Sequence, residues 1–187
     1  MVDVPHPEPK GERITAGALF RVHAEFVAKF LRHLGVPARD VDDLVQEVFM
    51  TAHRKGGYVA GPAQPRTWLA AMAVRHAQNN SRALRRGELF STRLSREPLL
   101  PPTDPAEEAE VREGIARVQR ALEQLPLEQR AAFVLLELEG ESCESIAASW
   151  EVPVGTIYSR LHHARRAFMA AYAPDAVRNT DRKALSK

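Results

Sequence analysis

Apolar residues recur every three or four positions along most of this chain. Leu19, Val22, Phe26, Val27, Phe30, Leu31 and Leu34 form one such stripe, and Gly35 follows where a helix C-terminal glycine is expected. A second stripe, Val41, Leu44, Val45, Val48, Phe49 and Ala52, begins after Pro37, a residue suited to a first helical turn. Asp40 lies in its opening segment, where the helix dipole favours an acid. Asp42, Asp43, Gln46 and Glu47 fall around the other side of that helix. Residues 55–65 hold three glycines and two prolines and read as a loop. A third helix is predicted over 66–86, with Trp68, Leu69, Met72, Ala73, His76, Ala77 and Asn80 on one side. Arg75, Arg82, Arg85 and Arg86 make it strongly basic.

Residues 97–113 are Pro-rich, then acidic, and read as a linker that enters a helix near Asp104 and Pro105. Helices are predicted at 106–124 and 127–139, parted by Pro126 and closed by Gly140. A short helix at 142–149 and a last helix from Val154 follow, and no strand pattern of useful length appears. The expected fold is all-α, two small helical domains joined by a flexible linker. Its expected parts are a disordered tail at 1–16, a domain at 17–94, the linker at 95–110, a domain at 111–172 and a tail at 173–187.

In the last helix Val154, Ile157, Leu161, Ala164 and Phe168 step by three and four, a buried seam. The opposite face carries Thr156, Ser159, His163 and Arg166, flanked by Tyr158, Arg160, His162 and Arg165. These are hydrogen-bonding or cationic groups, the kinds that meet base edges and phosphates. Two short helices crossing through a tight corner form a helix-turn-helix, which sets the start of its second helix into the major groove. The plainer alternative is an amphipathic hairpin with a solvated basic face.

Composition narrows the picture without deciding it. The chain has 187 residues, 44% hydrophobic and 27% charged, with a net charge of +2. That suffices for a folded core, and the near-balance hides local asymmetry. The single cysteine, Cys143, excludes an internal disulfide, and a regulatory thiol is disfavoured without a partner. Adjacent His162 and His163 diverge by about 100° on a helix, so a shared metal is not expected. There is no Gly-rich phosphate loop, His-Glu-x-x-His or serine elbow, so neither enzymatic chemistry nor a cofactor is expected. The N-terminus reads as no signal peptide, and no run approaches a membrane span; a cytoplasmic protein is expected.

Residues 125–168, "LPLEQRAAFVLLELEGESCESIAASWEVPVGTIYSRLHHARRAF", resemble region four of bacterial RNA polymerase sigma factors of the extracytoplasmic-function (ECF) group. "DVDDLVQEVFMTAHR" at 40–54 and "PRTWLAAMAVRHAQNNSRALRR" at 65–86 resemble region two of the same group. The matches follow the family's order and span roughly residues 17–172.

The resemblance implies a sigma factor that binds core RNA polymerase and directs promoter recognition. Asp42, Asp43, Leu44, Gln46, Glu47 and Phe49 would meet the clamp of the largest subunit. Region four would meet the flap of the second subunit. The minus-ten element would fall to Tyr58, Arg66, Trp68, Arg75, Asn79, Asn80, Arg82, Arg85 and Arg86, with core packing the favoured role for Trp68. The minus-thirty-five element would fall to Thr156, Tyr158, Ser159, Arg160, His162, His163, Arg165 and Arg166. Tyr158 and His163 stand where the family commonly has a basic residue, so its usual minus-thirty-five sequence does not carry over. Glu151 stands at the corner in place of the family's glycine, and Trp150 in place of leucine. Either the corner bends differently, or packing of Trp150 offsets the strain. The resemblance also implies an anti-sigma partner and a monomer when free. Alternative readings are a stand-alone helix-turn-helix regulator and a sigma-like decoy that binds an anti-sigma factor.

Overall fold

Thr15 starts the first helix: its side chain accepts a hydrogen bond from the Ala18 N–H (3.3 Å), an N-cap that satisfies an otherwise orphaned donor. In the computed structural model, which describes residues 13–87 and 105–184, the side chains of 83–87, 105–110 and 174–184 excepted, β1 (Arg13–Ile14) precedes α1 (Ala16–His33). Then come α2 (Ala38–Arg54), β2 (Tyr58–Val59), α3 (Pro65–Gly87), α4 (Pro105–Glu123), α5 (Leu127–Phe133), α6 (Cys143–Trp150) and α7 (Val154–Ala184). A π-helical turn, Val134–Leu138, continues α5. The predicted tail at 1–12 and the linker through 104 lie outside the described residues.

Two expectations at the ends change. Residues 13–14 pair antiparallel with β2, Ile14 opposite Tyr58, so the ordered chain begins before residue 17. The last helix runs on to Ala184, where the sequence suggested a tail from 173.

The α2 stripe is buried throughout, with Val48 and Ala52 fully enclosed. In α1, Leu19, Val27, Phe30 and Leu31 are buried, but Val22, counted in the stripe, lies 73% exposed. Burying a residue such as Phe30 contributes about 1.5–3 kcal/mol. Val154 is likewise exposed, and the α7 seam begins at Ile157. Phe168 closes it, stacked between Phe133 (4.8 Å) and Tyr172 (5.6 Å).

Three corners share one hydrogen-bond pattern, in which an N–H reaches back five residues to the helix it leaves. Val36 bonds Leu31 O, Gly57 bonds Ala52 O and Val152 bonds Ala147 O. Gly35 (φ +83) and Gly56 turn the first two in left-handed backbone, and Glu151 (φ 54, ψ 43) turns the third. The helix-turn-helix corner is therefore left-handed despite its glutamate. Trp150 beside it is half-buried against the core, with the Arg160 guanidinium over its ring at 5.4 Å.

Buried residues of both halves join a single hydrophobic cluster, where the sequence suggested two separate bundles. A buried cation knits them. Arg130 donates to Leu34 O at the end of α1 (2.7 Å), and to Glu123 O and Leu125 O at the end of α4 (2.9 and 3.1 Å). Both helix ends present carbonyls and the negative dipole pole, so they hold a guanidinium well. Burial still pulls its pKa below the ordinary value, opposed by Glu123.

Candidate functional site

The acidic face of α2 stands as expected. Asp42, Asp43, Gln46 and Glu47 are exposed, held outward by the buried stripe behind them. Leu44 and Phe49, placed in the same contact set by resemblance, are each only 6% exposed. They are core residues that support the face rather than form it. Phe20 packs edge-on against Phe49 (5.1 Å) and, with Met50, leaves apolar surface beside the acids. Sequence reading missed both; their signal was an apolar residue lying off the stripe.

Polar bolts fix α3 to α2. Glu47 Oε2 lies 2.8 Å from His76 Nδ1, and His76 Nε2 lies 3.0 Å from the Thr51 hydroxyl. The Asn80 amide donates to Asp40 (3.3 Å). From α3, Arg75, Asn79 and Arg82 face solvent and Asn80 is half-buried. Arg85 and Arg86 sit on the same helix, their side chains outside the described residues. Tyr58 is not a loop side chain open to a base: it is buried in β2, and its hydroxyl donates to Ala63 O (2.6 Å). Trp68 is half-buried edge-on to it, consistent with core packing.

The other side of α3 meets the second half of the chain. Thr67 is fully buried, its hydroxyl 2.8 Å from that of Ser145 and 2.7 Å from that of Ser149. The Gln64 N–H also donates to Ser145 (2.8 Å). Gln78, eleven residues along from Thr67 on the same face, donates to Glu128 (3.3 Å). Arg66 pairs with Glu139, lies 3.6 Å from Glu141, and sits over the Phe26 ring at 4.4 Å. Burial pushes the Glu141 carboxyl up, with Arg66 opposing and Glu139 adding to the shift. Between the halves lies a cavity of about 300 Å³ walled by Trp68, Arg75, Trp150 and Arg160 among others.

On α7, Tyr158, Ser159, His162, His163, Arg165 and Arg166 are exposed, and Thr156 is half-buried at the helix start. Several are already engaged. Arg160 pairs with Glu128, Arg165 with Glu137 (2.6 Å), and the Tyr158 hydroxyl donates to Glu144 (3.3 Å). The Glu144 carboxylate pushes the Tyr158 phenol up. Cys143 is buried, and burial raises its thiol pKa, the opposite of what a reactive thiolate needs.

Comparison with known proteins gives the family and the fold. The Sigma-70 region 2 family matches residues 19–87, and Sigma-70 region 4 matches residues 115–168. The chain is 34% identical over 155 residues to the ECF RNA polymerase sigma factor SigM of Mycobacterium tuberculosis, covering 83% of this chain and 76% of that one. It is 36% identical over 143 residues to the ECF RNA polymerase sigma-E factor of Escherichia coli, covering 71% and 73%. Among solved structures, the sigma factor RpoE bound to the anti-sigma factor NepR, from Bartonella quintana, superposes with a TM-score of 0.60 at 22% identity, over 81% of this chain and 92% of that one. CnrH in complex with the cytosolic domain of CnrY gives 0.58 at 24%, over 86% and 88%. With regions two and four present in order and a helix-turn-helix at the end, this chain belongs to the ECF sigma factors of bacterial RNA polymerase.

Proposed function

We propose that this sigma factor docks the acidic face of α2, Asp42, Asp43, Gln46 and Glu47, on the clamp of the largest polymerase subunit. Phe20 and Met50 supply the apolar edge of that contact. Its second half meets the flap of the second subunit and reads the minus-thirty-five element with Thr156, Tyr158, Ser159, His162, His163, Arg165 and Arg166. Arg66, Arg75, Asn79, Asn80, Arg82, Arg85 and Arg86 hold the opened minus-ten strand, the cations taking phosphates and the amides a base. Residues 17–94 and 111–172 act as the two working domains. The observation that carries the reading is the pairing, in one chain, of an exposed acidic helix face with an exposed cationic and hydroxyl face on a helix-turn-helix.

The factor works in the cytoplasm as a monomer until it meets polymerase. Among the described residues no helix is long and apolar enough to cross a membrane. An anti-sigma factor is a further partner, supported by the likeness to RpoE solved with NepR.

The test is co-elution with sigma-free core polymerase on size exclusion. The wild type is expected to co-elute and Asp43→Arg to lose at least ten-fold in affinity. A wild type that fails to bind core would overturn the docking.

A further inference from the structure

The ion pair between Arg66 and Glu139 joins the two halves of the chain, and its setting is unusual. Arg66 opens α3, the helix assigned to the minus-ten strand. Glu139 follows the π-helical turn of the other half, with Glu141 two residues on. Their side chains are only 9% and 11% exposed, while that of Arg66 is 35% exposed. Two carboxylates thus converge on one guanidinium and offer it anionic oxygens, the kind of acceptor a strand phosphate would also present.

The pair is also incompletely satisfied. Arg66 Nε and Glu139 Oε1 are buried without a hydrogen-bond partner among the described residues. A buried ion pair with unmet hydrogen bonds gains little net stability, because desolvation offsets most of the attraction. A phosphate on an accessible strand offers several oxygens to the guanidinium fork and releases counterions as it binds. Such a pair is readily exchanged for a strand phosphate.

Neighbouring contacts tie the ion pair to the seam between the halves. Glu139 and Glu141 precede α6, whose Ser145 and Ser149 bond Thr67, the residue next to Arg66. While the seam beside it is closed, Glu139 and Glu141 stay at the Arg66 guanidinium, and the same closure places Trp68 at the wall of the inter-half cavity.

We infer that Glu139 and Glu141 are internal stand-ins for promoter-strand phosphate. They hold Arg66 in the closed chain, so that closure of the two halves and capture of the minus-ten strand exclude one another. This rests on the assignment of α3 to the minus-ten strand, and it adds that the free factor silences that surface by itself, without a partner.

The experiment uses the full chain and a labelled, A/T-rich single-stranded oligodeoxynucleotide at low salt. Binding is read by fluorescence anisotropy and the separation of the halves by small-angle X-ray scattering. Glu139→Gln with Glu141→Gln is expected to tighten binding about ten-fold and to enlarge the radius of gyration. Adding Arg66→Gln should abolish the gain. Glu25→Gln with Glu113→Gln removes the same charge elsewhere and should give little. A second variant locks the seam: Thr67→Cys with Ser145→Cys, in a Cys143→Ser background, should lose strand binding on oxidation and recover it on reduction. The inference fails if the double glutamine variant keeps wild-type affinity. It also fails if the Glu25/Glu113 control gains equally, or if the oxidised cross-linked chain still binds the strand. Core-polymerase co-elution of the wild type is scored separately, so a failure here leaves the sigma-factor reading standing, and a failure there does not mimic this one.

Discussion

The two candidate contact faces of this protein are prepared differently. On α2, Asp42, Asp43 and Gln46 face solvent with no ion-pair partner among the described residues. On α7, Arg160 and Arg165 are held by Glu128 and Glu137, and Tyr158 leans on Glu144. The first face is largely ready for a partner as it stands, with only Glu47 engaged, by His76. The second must give up bonds to the protein's own carboxylates before it can hold phosphates, and those carboxylates also weaken the field that would draw DNA in from a distance. The difference suits a factor that finds a protein first and DNA second.

The largest expected effect tests whether the two faces rest on equally firm ground. Arg130→Met should cost about 3 kcal/mol, since three buried carbonyls lose a charged donor. Hydrogen exchange should show the loss concentrated in α5–α7, with the amides of α2 keeping most of their protection. Equal loss in both halves would erase the contrast. A smaller change of opposite sign sits at the corner that leads into α7. Glu151→Gly should raise stability by about 1 kcal/mol in urea unfolding, because a left-handed residue without a Cβ carries no strain. No change would mean that packing of Trp150 already offsets the strain.

Smaller again is the release of the α7 cations. Glu128→Gln with Glu137→Gln should tighten duplex DNA binding about three-fold and steepen its salt dependence by about one to two phosphate contacts. Asp42→Asn, on the ready face, should leave the salt slope alone. The smallest effect is in pH. Burial and Lys29 hold His33 below its ordinary pKa of 6.5 against the pull of Glu139, and burial with Arg66 does the same for His23. The folded chain then binds fewer protons than the unfolded one, so stability is full above 6.5 and falls as pH drops through the window beneath it. His33→Gln should flatten part of that slope in thermal melts and leave the remainder from His23.

Much of this was legible in the chain because its helices are locally patterned. Val41, Leu44, Val45, Val48, Phe49 and Ala52 lie at helical spacing, and every one of them is buried. The break at Gly35 and the start near Pro105 follow from residues whose backbone preferences are strong, whereas Glu151 turns the two-helix corner against its own. What could not be read is what depends on distant parts of the chain. Thr67, Ser145 and Ser149 look like ordinary surface hydroxyls, and only the meeting of α3 with α6 makes them an interior network. Arg130 reads as a solvated cation, yet it plugs the ends of two helices. Leu44 and Phe49 carry the family signature, but a signature does not separate residues that touch a partner from residues that hold up the surface. Tyr58 was misplaced because a two-residue strand leaves no periodicity to find.

The π-helical turn at Val134–Leu138 has a consequence for chain length. Such a turn closes its ring through Glu139 N–H and Val134 O, one residue wider than an α-helical turn. One residue more or fewer rotates everything beyond it by about 100°. The direction of Glu139 is therefore set by register as much as by side-chain identity. A relative that lacks that one residue could keep both carboxylates and still turn them away from Arg66, so the ion pair can be gained or lost through a single-codon insertion or deletion with no substitution at all.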